Sequence, residues 1–244
     1  MKLIVSRTYE EMSKQAVDDL ISAMSPVQNP LLCTASGESP AGLYKELTLR
    51  ARQEGNDILN WKYVGLDEWV GLNENDEGSC RDHLNRQLFR PLQLKNQQIC
   101  FFNGKAENLE AECVRIEEYI RQQRGIEVAI LGLGMNGHIG LNEPGTSVSL
   151  RSHITDLDPL TKKNAQKYFK DQRHLSQGIT LGLATLLEAK HIFLLVSGKH
   201  KASIVKEVVE GPVTEEIPAS LLKTHPGFRI YLTSDAAELM LKLH

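Results

Sequence analysis

A run of apolar residues from Val128 to Leu133 breaks into G-L-G-M-N-G-H-I-G-L-N-E-P-G, ending at Gly145. Six consecutive apolar or small residues suit a strand buried on both faces, as in a parallel sheet covered by helices. The glycine-rich turn that follows delivers His138 and then Glu143. A strand emptying into a loop with an imidazole and a carboxylate is where an open α/β sheet places its chemistry.

The rest of the chain repeats this alternation. Strands are expected at Lys2–Val5, Leu31–Cys33, Trp61–Leu66, Gly178–Leu183, His191–Val196 and Phe228–Leu232. Between them lie helical patterns. Thr8-x-x-Glu11 reads as a capping box before Met12, Ala16, Leu20 and Met24. Further helices are expected from Pro40, over Ser79–Phe89, over Glu107–Gln123, near Asp158–Phe169 (with Lys162, Lys163 and Lys167), around Leu186 and Leu187, through Ile204, Val205 and Val208, from Pro218, and after a Ser234 cap. Alternation predicts one α/β domain over residues 1–244, a mostly parallel open sheet with helices on both faces, modified Rossmann-like in plan. No composition shift marks a linker.

Apolar and charged fractions of 41% and 24% are ordinary for a globular chain, and a net charge of −3 argues against a nucleic-acid surface. No apolar stretch reaches membrane-spanning length, and the N-terminal run is too short for a signal peptide. Cys33, Cys80, Cys100 and Cys113 form no CxxC pair, so a zinc ribbon is not expected and a reduced, cytoplasmic enzyme is.

Three chemistries compete for the central loop. Gly132-x-Gly134-x-x-Gly137 matches a dinucleotide fingerprint, with Asp156 or Asp158 as a ribose acid, but Gly140 and Pro144 oppose the helix which that motif needs next. A metal held by His138, Glu143 and Asp67 lacks a recognised ligand spacing. Proton chemistry fits better: Asp67, at the end of the Trp61–Leu66 strand, as base, with His138 as acid/base and Glu143 as its partner. The loop T-A-S-G-E-S-P before the Pro40 helix, with Ser36, Gly37 and Ser39, fits either an anion site or simple capping by Ser39. Lys201 reads either as a surface lysine or as an anion's counter-charge.

Three segments, N-G-H-I-G-L-N-E-P-G, L-D-E-W-V-G-L (Leu66–Leu72) and S-G-E-S-P-A-G-L-Y, together resemble the glucosamine-6-phosphate deaminase family, itself related to the 6-phosphogluconolactonases. The resemblance spans essentially the whole chain. G-I-T-L-G-L (Gly178–Leu183) and I-P-A-S-L-L (Ile217–Leu222) resemble its galactosamine-6-phosphate deaminase/isomerase branch. The resemblance implies a cofactor-free conversion of a hexosamine 6-phosphate to a ketohexose 6-phosphate and ammonia. His138 would open the ring, Glu143 would orient it, and Asp67 would move a proton from C2 to C1. Ser36, Gly37, Ser39, Lys167 and Lys201 would hold the phosphate.

Some positions depart from the family pattern. Asn136 replaces an aspartate of the glucosamine enzymes, which shifts the expected sugar to galacto with glucosamine 6-phosphate as the alternative; a lactonase or a non-catalytic sugar-phosphate binder is more remote. Glu38 stands where a small residue is usual. His153 and Thr155 fall where allosteric basic residues would be, and the chain stops at His244. A monomer or small homo-oligomer without such activation is therefore expected.

Overall fold

The computed structural model describes residues 1–53 and 58–240. In chain order the elements are β1 (Lys2–Ser6), α1 (Tyr9–Met24), β2 (Leu31–Thr34), α2 (Ala41–Gln53), β3 (Lys62–Gly65), β4 (Asp67–Trp69), α3 (Cys80–Leu84), β5 (Ile99–Cys100) and α4 (Leu109–Gln122). They continue with β6 (Val128–Gly132), β7 (His153–Asp156), α5 (Pro159–Ala165), β8 (Gln177–Thr180), α6 (Leu183–Leu187), β9 (His191–Val196), α7 (Ala202–Glu210), α8 (Pro218–Leu221) and β10 (Phe228–Thr233).

Seven strands form an all-parallel sheet in the order β1-β10-β9-β6-β2-β3-β5. Successive side chains of a strand face opposite ways, and the core divides accordingly. Ala129 and Leu131 join Leu194, Ile230 and the helices α4, α7 and α8 on one face. Val128 and Ile130 join Phe193, Tyr231 and the helices α1 and α2 on the other. Both faces are covered, which is why the strands read as continuous apolar runs. Leu194 is fully buried at the middle of the sheet. Leu194→Ala is expected to cost about 2–5 kcal/mol of stability, read as a lower urea midpoint with an unchanged slope.

From β2 the chain steps outward through β3 to β5, then returns to place β6 on the other side of β2 and continues through β9 to β10. The reversal between β2 and β6 is the topological switch point, where a crevice opens beyond the strands' C-terminal ends.

Local expectations fared unevenly. Thr8 does cap α1 through the Glu11 N–H (3.1 Å), but the Glu11 carboxylate turns to the Arg7 N–H (3.0 Å), so the box closes one residue early. The Ser79–Phe89 helix changes to a π-helical turn over Asn85–Phe89. The two-residue strand β5 is too short to leave a sequence signal. Nor does the sequence announce a second, antiparallel sheet, β4-β8-β7, because pairing of three- and four-residue strands leaves no local periodicity. Residues 234–240 are turns, and the Ser234 hydroxyl donates to the Arg7 carbonyl instead of capping a helix; the final residues of that expected helix lie outside the described range.

Candidate active site

Four adjacent strands deliver the expected residues to one edge. β2 runs into Ser36–Ser39, β3 into Asp67, β6 into the Asn136–Glu143 turn, and β9 into the turn ending at Lys201.

The turn after β6 is built around its imidazole. A side chain at Gly134 would place its Cβ 2.3 Å from the His138 ring, so only glycine lets the ring lie there. Gly137 has φ +85° with Ile217 against it, and its carbonyl accepts the Ala219 N–H (2.9 Å), which docks α8 under the turn. The fully buried Asn142 donates to Ile139 O (2.8 Å) and Leu181 O (2.9 Å), tying the turn to the end of β8. No helix follows Gly137, so the turn lacks the N-terminus that a dinucleotide fingerprint would present.

His138 Nδ1 lies 2.6 Å from Asn136 Oδ1, 3.3 Å from Thr161 Oγ1 and 3.4 Å from Glu143 Oε2. Asn136 Oδ1 also accepts the His138 backbone N–H (3.2 Å), while Asn136 Nδ2 donates to Glu143 Oε2 (3.0 Å). The reversed amide would set donor against donor and oxygen against carboxylate. Surrounded by oxygens, Nδ1 carries a proton, and the neutral ring keeps its free lone pair on Nε2. Glu143 thus meets the imidazole directly at 3.4 Å and also through Asn136. Burial pushes Glu143 up, but hydrogen bonds from His138, Thr161 and Asn136 outweigh it and hold the carboxyl below its ordinary range. The Asp158 N–H adds a further contact at 3.3 Å. Thr161 had no sequence signal, since only the packing of α5 brings it here.

Asp67 is 8% exposed, opposite Thr180 in the small sheet. Burial raises its carboxyl to about 6, against the lowering effects of a Cys80 thiol hydrogen bond and of nearby His138. The next residue, Glu68, is not a second base but a brace. It is fully buried and accepts the N–H groups of Trp69 (2.9 Å), Cys80 (2.9 Å) and Arg81 (3.0 Å), so it caps α3 and holds Cys80 beside Asp67.

The Ser36–Ser39 loop borders a cavity of about 510 Å³, lined by Tyr9, Glu38, His83, Lys167, Tyr168 and Ser197 among others. Backbone N–H groups of Gly37, Glu38 and Ser39 meet no acceptor among the described residues. Ser39 does not cap α2. The Tyr9 hydroxyl accepts the Gly42 N–H (2.6 Å) and donates to Glu38 O (2.6 Å), anchoring the loop to α1. Lys201 Nζ donates to Leu133 O (2.6 Å), and burial, with Lys167 nearby, lowers it to about 8. Lys167 pairs with Glu38 (2.8 Å). The loop and both lysines therefore share one neighbourhood. Among the described residues no group of three or more His, Cys, Asp or Glu is placed to hold a metal ion, and no helix is long and apolar enough to cross a membrane.

The chain is similar to several known proteins along nearly its whole length. A glucosamine-6-phosphate deaminase of Geobacillus sp. (strain WCH70) is 39% identical over 241 residues, covering 98% of this chain and 96% of its own. One of Oceanobacillus iheyensis is 38% identical, covering 94% and 92%. A solved monomeric glucosamine-6-phosphate deaminase superposes with a TM-score of 0.93 at 34% identity, covering 98% of this chain and 100% of that one. A 6-phosphogluconolactonase from Trypanosoma brucei, 18% identical with a TM-score of 0.75 and 98% of both chains covered, shares the fold. The glucosamine-6-phosphate isomerase/6-phosphogluconolactonase family model matches residues 6–230, and the chain belongs to that family.

Proposed function

We propose that the protein is a hexosamine-6-phosphate deaminase/isomerase, and that glucosamine 6-phosphate is its substrate, giving fructose 6-phosphate and ammonia. One observation carries the reading: a buried carboxyl raised to about 6 beside an imidazole whose Nδ1 is held as a donor by the Asn136–Glu143 relay. Nε2 accepts the C1 hydroxyl proton and returns it to the ring oxygen, opening the pyranose. Asp67 then removes the C2 proton and delivers it to C1, as an amine proton passes to the C1 oxygen. The resulting imine at C2 takes up water and releases ammonia, leaving the ketone. A single base serving neighbouring carbons needs no redox cofactor.

The phosphate lies, in this reading, against the free N–H groups of the Ser36–Ser39 loop with Lys201 and Lys167 as counter-charges. The relatives support the gluco sugar. They lend no support to the galacto sugar, which Asn136, a neutral amide beside His138, and the resemblance of Gly178–Leu183 and Ile217–Leu222 had suggested. Ammonia release from the two hexosamine 6-phosphates, assayed side by side, is expected to favour glucosamine 6-phosphate in kcat/KM by at least ~10-fold, since a misplaced C4 hydroxyl leaves a polar group unpaired. Preference for galactosamine 6-phosphate would reverse the assignment, and ammonia from neither would refute it. A monomer is the expected state, as in the solved 34% relative.

A further inference from the structure

Glu38 is chemically misplaced for a phosphate site. It sits inside the loop to which the phosphate is assigned above, yet it brings a carboxylate there. Its Oε2 takes the Lys167 ammonium at 2.8 Å, joining residues 129 apart in sequence across the cavity both of them line. The pair is half open to solvent, with the Lys167 and Glu38 side chains 48% and 73% exposed. Lys167 also lies 5.1 Å over the Tyr168 ring, whose far edge meets His83. The root of Glu38 is fixed, because Tyr9 bonds its carbonyl, while the carboxylate itself reaches into solvent. The Lys167 hydrogen bond holds the carboxyl below its ordinary range, and His200 and His83 add to the effect.

The ammonium assigned as the phosphate's counter-charge is therefore already paired with a carboxylate. We propose that Glu38 is an internal competitor for the substrate's phosphate group. Its carboxylate occupies Lys167 until a phosphate displaces it, and it thereby sets the substrate affinity below what the two lysines alone would give. The proposal rests on the phosphate-site reading above and adds a residue that tunes it. An exposed pair is a weak competitor, so displacement by a dianion is easy and reversible.

The experiment is calorimetric titration of inorganic phosphate into wild type, Glu38→Gln, Lys167→Met, the double variant and Lys201→Met, with KM for the hexosamine 6-phosphate measured alongside. Glu38→Gln is expected to bind phosphate about threefold to fivefold tighter, the scale of an exposed ion pair, and to lower KM by a similar factor without a matching rise in kcat. In the Lys167→Met background the same substitution is expected to have little effect, because the contested group is gone. Unchanged or weaker phosphate binding by Glu38→Gln overturns the proposal. So does equal tightening in both backgrounds, which would make Glu38 a general repulsive charge. Lys201→Met separates the two levels. If it weakens phosphate binding while Glu38→Gln changes nothing, the phosphate site stands and only the competitor falls. If wild type binds no phosphate and Lys201→Met leaves KM unaltered, both fall.

Discussion

Asp67→Asn is expected to abolish nearly all turnover and, at the same time, to stabilise the protein at alkaline pH. Removing the base that carries the C2 proton costs about 10²–10⁴-fold in kcat/KM, because an amide of the same shape cannot accept it. The stability effect follows from the position of the carboxyl. Its folded value of about 6 lies above the ordinary 3.8, since burial penalises the anion. Its favourable contribution to folding is then complete below about pH 4 and is lost as the pH rises through 6. At pH 8 the buried carboxylate costs on the order of 2–3 kcal/mol, which the asparagine variant escapes while keeping an oxygen for the Cys80 thiol. Thermal unfolding at pH 8 should move up by ~5–10 °C in Asp67→Asn, and the difference from wild type should shrink at pH 4. In the wild type, kcat/KM should rise with pH through about 6 as the base ionises. A variant both inactive and less stable at pH 8 would mean that Asp67 is structural.

His138→Gln has the second largest expected effect. A glutamine amide can still meet Asn136, so the turn keeps its shape, but it cannot pass a proton from the C1 hydroxyl to the ring oxygen. A loss of about 10²–10³-fold in kcat/KM is expected, with affinity for inorganic phosphate unchanged because the Ser36–Ser39 loop and Lys201 are untouched. Phosphate affinity separates lost chemistry from lost structure here. Loss of both would indicate that the ring props up the turn after β6, whereas wild-type turnover would remove His138 from the mechanism.

Several parts of the site were legible before any coordinates. Val128–Leu133 announced a buried strand by composition, and the glycines after it announced a turn, because both signals are local and steric. The same holds for Asp67 just beyond β3, and for the loop leading into α2. The relay was readable only in part. His138, Asn136 and Glu143 lie within eight residues, but the finding that Asn136 stands between the other two depends on how the turn closes. Glu143 does reach Nδ1, at 3.4 Å, but a shorter contact at 2.6 Å comes from Asn136.

By itself, the sequence determined which residues line the C-terminal edge of the sheet. Strand period, helix period and chain order together decide which loops emerge there, while the strand order that puts the switch point between β2 and β6 came from the structure. Only the tertiary structure decided which residues meet across that edge. Glu38 finds Lys167, Thr161 finds His138, Glu68 caps α3, and β4 leaves the main sheet to pair with β8. Most of these contacts join segments tens of residues apart or more, and periodicity carries no information about partners at such distances. They form because packing brings the segments together and burial then penalises every polar group left without a partner. The same burial raises Asp67 to about 6, turning an ordinary strand-end carboxylate into the group on which the proposed chemistry depends.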